Sequence, residues 1–165
     1  TPKPSSAASD VYKRQLWQTL STKPGGKWAF SRLICAKAPY FGTIRPLVEV
    51  MQGGRAEVSA PKRRAVHNHI GTFHAIAVCN LAEIAMGMVA EASLPATHRW
   101  LPKTMTVRYL KKAETDLRAI ACIDPATIYG PAGFDLPVNI DVFDIRGEKV
   151  FDAVITIWVT AKKAA

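Results

Sequence analysis

Glu83 sits in the run Leu81-Ala82-Glu83-Ile84-Ala85-Met86, where a charged side chain is out of company. An ionised carboxylate among apolar neighbours costs several kcal/mol unless it is hydrogen-bonded, or unless it takes up a proton. Asn80, one helical turn earlier, is a possible partner. Glu83 is therefore an acid reaching into an exposed groove, an acid satisfied inside a core, or a group kept for acid–base chemistry. Upstream, Asn68-His-Ile-Gly71-Thr72-Phe-His74 leads into the same stretch. Helix N-termini offer unpaired N–H groups and a field that favours negative charge, so the start of the helix that follows suits an oxyanion. Gly71 permits a tight turn, Asn68 can donate or accept, and His74 could orient a carbonyl. Taken singly, Asn68 and Thr72 are ordinary capping or turn residues, and His67 and His69 ordinary loop residues.

These groups need elements to position them. From His74 to Ala92 the pattern predicts one helix of about five turns, apolar on every face apart from Asn80, Glu83 and Glu91. A shorter amphipathic helix is expected over Trp28 to Tyr40, stopping at Pro39, and Leu16 to Gly26 ends in a turn or linker. Ile44 to Met51 and Arg55 to Ala60 form a hairpin about Gly53-Gly54. Four further strands are expected over Thr104 to Leu110, Asp116 to Ile123, Leu136 to Ile145 and Val150 to Thr160. The result is an α+β chain, an antiparallel sheet of about six strands wrapped round one long central helix, with a short N-terminal helix: the hotdog plan. A sheet covers such a helix from one side, so a homodimer, or a dimer of dimers, is expected.

Two basic clusters, Lys62-Arg63-Arg64 and Lys111-Lys112, could meet the phosphates of a polyanion or form a solvated face. The chain of 165 residues carries 22 Lys+Arg against 13 Asp+Glu, a net charge of +9. No zinc-finger or RNA-binding signature accompanies this excess, and aromatics are not interleaved with the basic runs, so nucleic acid is not an expected partner. Cys35, Cys79 and Cys122 form no CxxC pair, which argues against a disulfide framework or a metal site. Asn80 and Glu83 interrupt the longest apolar stretch, so no membrane span is expected, nor a secretory signal; the reading is a soluble, cytoplasmic protein.

The run Asn68-xx-Gly71-Thr72-x-His74-Ala75, followed by an acid at Glu83, resembles the active-site motif of hotdog acyl-CoA thioesterases of the phenylacetate-pathway (PaaI-like) type. With Ala38-Pro-Tyr-Phe41, Asn80-Leu-Ala-Glu83 and Tyr109-Leu-Lys-Lys-Ala113, the wider pattern is similar to an uncharacterised branch of that superfamily, domain of unknown function 4442. The resemblance spans about Leu16 to Thr160. It implies that Glu83 is the general base or nucleophile and that Asn68 positions water or the carboxylate. The N–H of Ala75 would hold the oxyanion, with His74 supporting the carbonyl and the site shared between two subunits. Gly71 and Thr72 would belong to the loop, and Lys62, Arg63, Arg64, Lys111 and Lys112 to substrate binding. Coenzyme A would enter as part of the substrate, with no other cofactor and no metal. The family commonly has Gly at position 75 and often Asp at 83.

Two other functions fit less of the pattern. A non-catalytic acyl-CoA sensor would keep the pocket without needing Glu83. A 3-hydroxyacyl-thioester dehydratase would use His69 with Glu83, but its loop usually carries an HFPG-like sequence where this chain has His69-Ile-Gly-Thr72. Separately, Ser5 to Gln15, SSAASDVYKRQ, resembles the in-frame translation of a transposase sequencing adaptor, codon for codon. Residues 1–15 are accordingly expected to be an artefactual or disordered tail, and 16–165 a single domain.

Overall fold

The computed structural model of the chain describes residues 6–162. Three helices, α1 (Ser6–Leu20), α2 (Gly26–Lys37) and α3 (Ala75–Ser93), accompany six strands. The strands are β1 (Leu47–Gln52), β2 (Arg55–Ala60), β3 (His98–Tyr109), β4 (Leu117–Cys122), β5 (Phe134–Asp144) and β6 (Lys149–Ala161). They form one antiparallel sheet in the order β1-β2-β4-β5-β6-β3, and α3, inserted after β2, runs through its concave face. This is the hotdog arrangement that the alternation predicts.

Alternation decides which face is inner. Leu136, Val138, Ile140 and Val142 of β5, with Ala153, Ile155, Ile157 and Val159 of β6, are buried against the helix side. On β2 and β4 the inward row is small: Ala56 pairs with Ala121 and Val58 with Ala119. Those strands carry much of the contact with α3, whose own Ala82 and Ala85 are fully buried. Small residues on both surfaces let helix and sheet approach closely, and a larger side chain there would cost about 1–3 kcal/mol in overpacking. Gly54, at φ 81, makes the tight β1–β2 turn that the Gly-Gly pair predicts.

Some boundaries differ from expectation. The turn expected at the end of Leu16 to Gly26 is present over residues 21–25, and Leu16 to Leu20 before it belong to α1. Leu16, Trp17 and Leu20 make too short an apolar stripe to signal a helix alone; Trp17 is fixed edge-on to Phe30 at 5.1 Å. Helix α1 runs through residue 15, and residues 1–5 lie outside the described part. A 3₁₀ turn over Pro39–Ile44 replaces the first residues expected in β1. Strand β3 starts at His98, six residues before the alternation is legible, because it is an edge strand exposed along most of its length. Its register shifts between Pro102 and Thr104, as an edge can allow around a residue without an N–H.

The central helix is also better covered by its own chain than its composition predicts. The Pro39–Ile44 turn and α1 lie on the side away from the sheet. By length and composition α3 could cross a bilayer, but 67% of its most apolar eighteen-residue window is buried in this fold, as in the core helix of a globular protein. What stays open is a stripe of Ile76, Cys79 and Glu83.

The β5–β6 turn is held by Asp144, whose Oδ1 accepts the N–H groups of Arg146 and Glu148, both at 2.9 Å, while Oδ2 accepts Arg146 Nε at 2.8 Å. The Glu148 N–H, then the Arg146 side chain, hold this carboxyl below its usual value against the opposing effect of burial. A depressed folded value means stability that is present above the unfolded carboxylate pKa, about 4, and lost as pH falls through the folded one. Asp144→Asn should therefore lower the melting temperature at pH 7 and make its decline below about pH 4 shallower. Thermal melts of both proteins across that range check this, and parallel curves would contradict it.

Candidate active site

The loop before α3 is built round Asn68. Its Oδ1 accepts the N–H groups of Ile70 (3.1 Å) and Thr72 (3.0 Å), and its Nδ2 donates to Thr72 Oγ1 at 2.8 Å. The Asn68 N–H donates to Thr72 O at 2.9 Å, and Gly71 closes the turn at φ 77, where an L side chain would be strained. His74 is the N-cap: its Nδ1 accepts the Ile76 N–H at 3.1 Å. The N–H groups of Ala75 and Ala77 have no acceptor among the described residues, which leaves two donors at the positive end of a nineteen-residue helix. An anionic oxygen is what such donors suit.

Glu83 lies elsewhere, about 12 Å further along the helix axis at 1.5 Å per residue. It is half-buried and lines a cavity of about 160 Å³ with Phe41, Ile84, Gly87, Met88 and Trp100. Its carboxylate makes no hydrogen bond or ion pair among the described residues. The expected pairing with Asn80 does not occur. Asn80 faces inward, 3% exposed, and its amide donates to Tyr40 O and Thr43 Oγ1, each at 3.3 Å. It thereby fastens to α3 the turn that carries Phe41.

A second acid shares the cavity wall. Glu91, 6% exposed, accepts Lys13 Nζ at 2.7 Å. Glu83, Gly87 and Glu91 form an i, i+4, i+8 stripe; that spacing was the available signal for Glu91, which sequence reasoning noted only as a polar helix residue. Tyr109 was likewise quoted only within a motif. Its hydroxyl lies 3.4 Å from Cys79 Sγ, one turn before Glu83, and that contact, then burial, pushes its pKa up to about 12. It stays a neutral phenol at physiological pH.

The basic clusters separate in space. The Phe73 N–H donates to Ala113 O at 2.8 Å, which brings the Lys111-Lys112 segment beside the Asn68 loop. Lys111 is paired with Glu148, whereas Lys112 is exposed with no partner among the described residues. The Lys62 N–H donates to Asp116 Oδ1 at 2.7 Å, Arg63 donates to Thr43 O, and Arg64 is exposed. One chain thus gathers Asn68, Gly71, Thr72, His74, Ala75, Lys111 and Lys112 at the helix start, and keeps Glu83 apart. His69 is exposed on that loop.

Residues 26–159 match the family described as Domain of unknown function (DUF4442). The chain belongs to the DUF4442 family. A structural-genomics crystal structure is 43% identical to this DUF4442 protein, covering 92% of this chain and 99% of its own, with a TM-score of 0.79. A Pseudomonas aeruginosa protein named "Probable Thioesterase" is 23% identical over 80% of this chain and 93% of its own, with a TM-score of 0.73. A Haemophilus influenzae thioesterase shares the fold at 12% identity, covering 80% of this chain and 89% of its own, with a TM-score of 0.69. No curated protein matches the DUF4442 chain in sequence.

Because three hydrogen bonds of the loop pass through one amide, Asn68→Ala should destabilise the DUF4442 fold by about 1–3 kcal/mol. Urea unfolding measures this, and a midpoint unchanged from wild type would show that the loop holds without it.

Proposed function

We propose that the protein hydrolyses an acyl-CoA thioester to a free acid and coenzyme A. The observation that carries this reading is Glu83, an unpartnered, half-buried carboxylate in the wall of an apolar cavity large enough for a small acyl group. A carboxylate in that position can take a proton from water while apolar walls exclude bulk solvent. The free N–H groups at the start of α3 supply what the other half of the reaction needs, donors for the oxygen that becomes negative as water adds to the carbonyl. Relatives of the same fold that carry the name thioesterase support the reading.

Glu83 and the donors are two helical turns apart in one chain, so we place the working site between two copies. Strand β3 offers the means. It is a twelve-residue edge with its outer hydrogen-bonding side open, and Leu101, Met105 and Tyr109 on it are 65%, 38% and 54% exposed. A long exposed edge of this kind is a template for pairing. Pairing of β3 with β3 of a second copy would extend the sheet, cover Ile76, and set the Asn68 loop of one copy beside Glu83 of the other. In that arrangement Asn68 shapes the loop, the Ala75 N–H receives the oxyanion, His74 fixes the helix start, and Lys112 faces the phosphates.

Two outcomes follow. Glu83→Gln should lower kcat on the best CoA thioester by at least about two orders of magnitude, with little change in melting temperature. Thiol release measured across short-, medium- and long-chain and aromatic CoA thioesters reads this; near-wild-type turnover would favour the acyl-CoA sensor, which binds its ligand without Glu83. A charge pair facing itself across the edge, introduced as Met105→Asp, should convert a dimer to a monomer in sedimentation and abolish turnover together. A wild-type monomer with full turnover would remove the shared site.

A further inference from the structure

A second recess opens between the first turns of α2 and the start of the β1–β2 hairpin. It holds about 330 Å³ and is lined by Trp28, Arg32, Arg45, Ser59, Pro61 and Asp116, among others. That is the size of a small-molecule site rather than of a packing defect. Trp28 is 63% exposed, so one face of a large aromatic ring is left uncovered at the rim. Arg32 donates through Nη2 to Pro46 O at 2.8 Å, but its Nε is buried with no acceptor among the described residues. A buried donor left unmet marks a place where an acceptor is wanted.

Arg45 adds a second cation in an unusual way. It is the one non-glycine residue in the left-handed region among those described, at φ 50 and ψ 57, where it ends the Pro39–Ile44 turn. An L residue adopts that backbone at a cost in energy, and Gly would fit it without one. Yet the position carries an arginine that lines the recess. Arg63 lies close enough that Arg45, after burial, helps push its guanidinium pKa down. Arg32 and Arg45 therefore place two guanidinium groups in one lining. Asp116 is the single carboxylate in the lining, and its Oδ1 is already taken by the Lys62 N–H.

We propose that this recess binds an adenine nucleotide, with the base stacked on Trp28, the phosphates on the guanidinium groups of Arg32 and Arg45, and the exocyclic amine donating to Asp116. Each part of the ligand meets a group suited to it. A π-face stacks on an uncovered ring, phosphate oxygens accept from guanidinium forks, and the remaining carboxylate oxygen accepts from an amine. Nothing in this chemistry distinguishes the nucleotide end of coenzyme A from a free nucleotide. Only the first of these sources rests on the thioester reading above.

Calorimetric titration of the full chain with 3′,5′-ADP tests the site directly. Wild type should bind saturably, Arg45→Gly should weaken binding about tenfold or more, and Trp28→Ala about fivefold or more. Arg45→Gly relaxes the backbone, so it should melt at or above the wild-type temperature, which separates lost binding from lost folding. If the ligand is the end of coenzyme A, Arg45→Gly raises KM for an acyl-CoA and leaves KM for the matching acyl-pantetheine unchanged. An unchanged KM for both, with 3′,5′-ADP affinity reduced, assigns the site to a free nucleotide. Absence of saturable binding by wild type, or equal affinity in both variants, overturns the proposal. Binding without hydrolysis of any thioester would overturn the hydrolase reading alone.

Discussion

A nineteen-residue helix with apolar side chains all round has to be surrounded, and six strands surround it from one side only. Leu81, Ile84, Met86 and Val89 are completely buried, each worth about 1.5–3 kcal/mol relative to exposure, so most of the fold's arrangement serves that helix. The Ala rows of β2 and β4 let the sheet close on it. The Pro39–Ile44 turn and α1 complete the wall that the sheet cannot reach, with Asn80 as the hydrogen-bonded rivet.

That constraint also decides where chemistry can sit. Ionised groups on a helix so enclosed are tolerable only along the strip that neither the sheet nor the turn covers. Glu83 occupies that strip and Glu91 continues it under α1. The helix start is the other place where polar groups escape the enclosure, because its N–H groups have no partners above them. The two candidate halves of the site are thus the two openings in one burial scheme, and their separation along α3 follows from it.

Much of this was legible in the residues. The alternation of β5 and β6 and the long apolar run of α3 carry strong periods, because one face of each is buried and the other is not. Strand β3 was half visible, since an edge exposed on both faces has no reason to alternate. Helix α1 was missed because residues 1–15 read as an adaptor-like tail, which left only the single turn of Leu16, Trp17 and Leu20 to signal it. Around α3, residue types did not reveal the wiring. Asn80 and Glu83 are close in spacing, yet the free donor of Asn80 goes to a turn that no local pattern ties to α3. The arginine recess was invisible for the same reason: Trp28, Arg32 and Arg45 meet residues of the β1–β2 hairpin and Asp116 only through tertiary folding.

Helix α1 is fastened over the end of α3 by Lys13 on Glu91 and by Arg14 on the carbonyls of Glu91 and Leu94. Both cations fall within the stretch that resembles an adaptor. Lys13 also lines the Glu83 cavity, together with Gly87 and Met88 of α3 and Trp100 of β3. The wall of that cavity is therefore drawn from two sources, the first helix and the core. A chain with other residues at positions 13 and 14 would keep Glu83 and the core part of that wall, and would lose the contacts that pin α1 against it. Relatives compared at this cavity would then have to share the same first helix, or the comparison would report a missing wall.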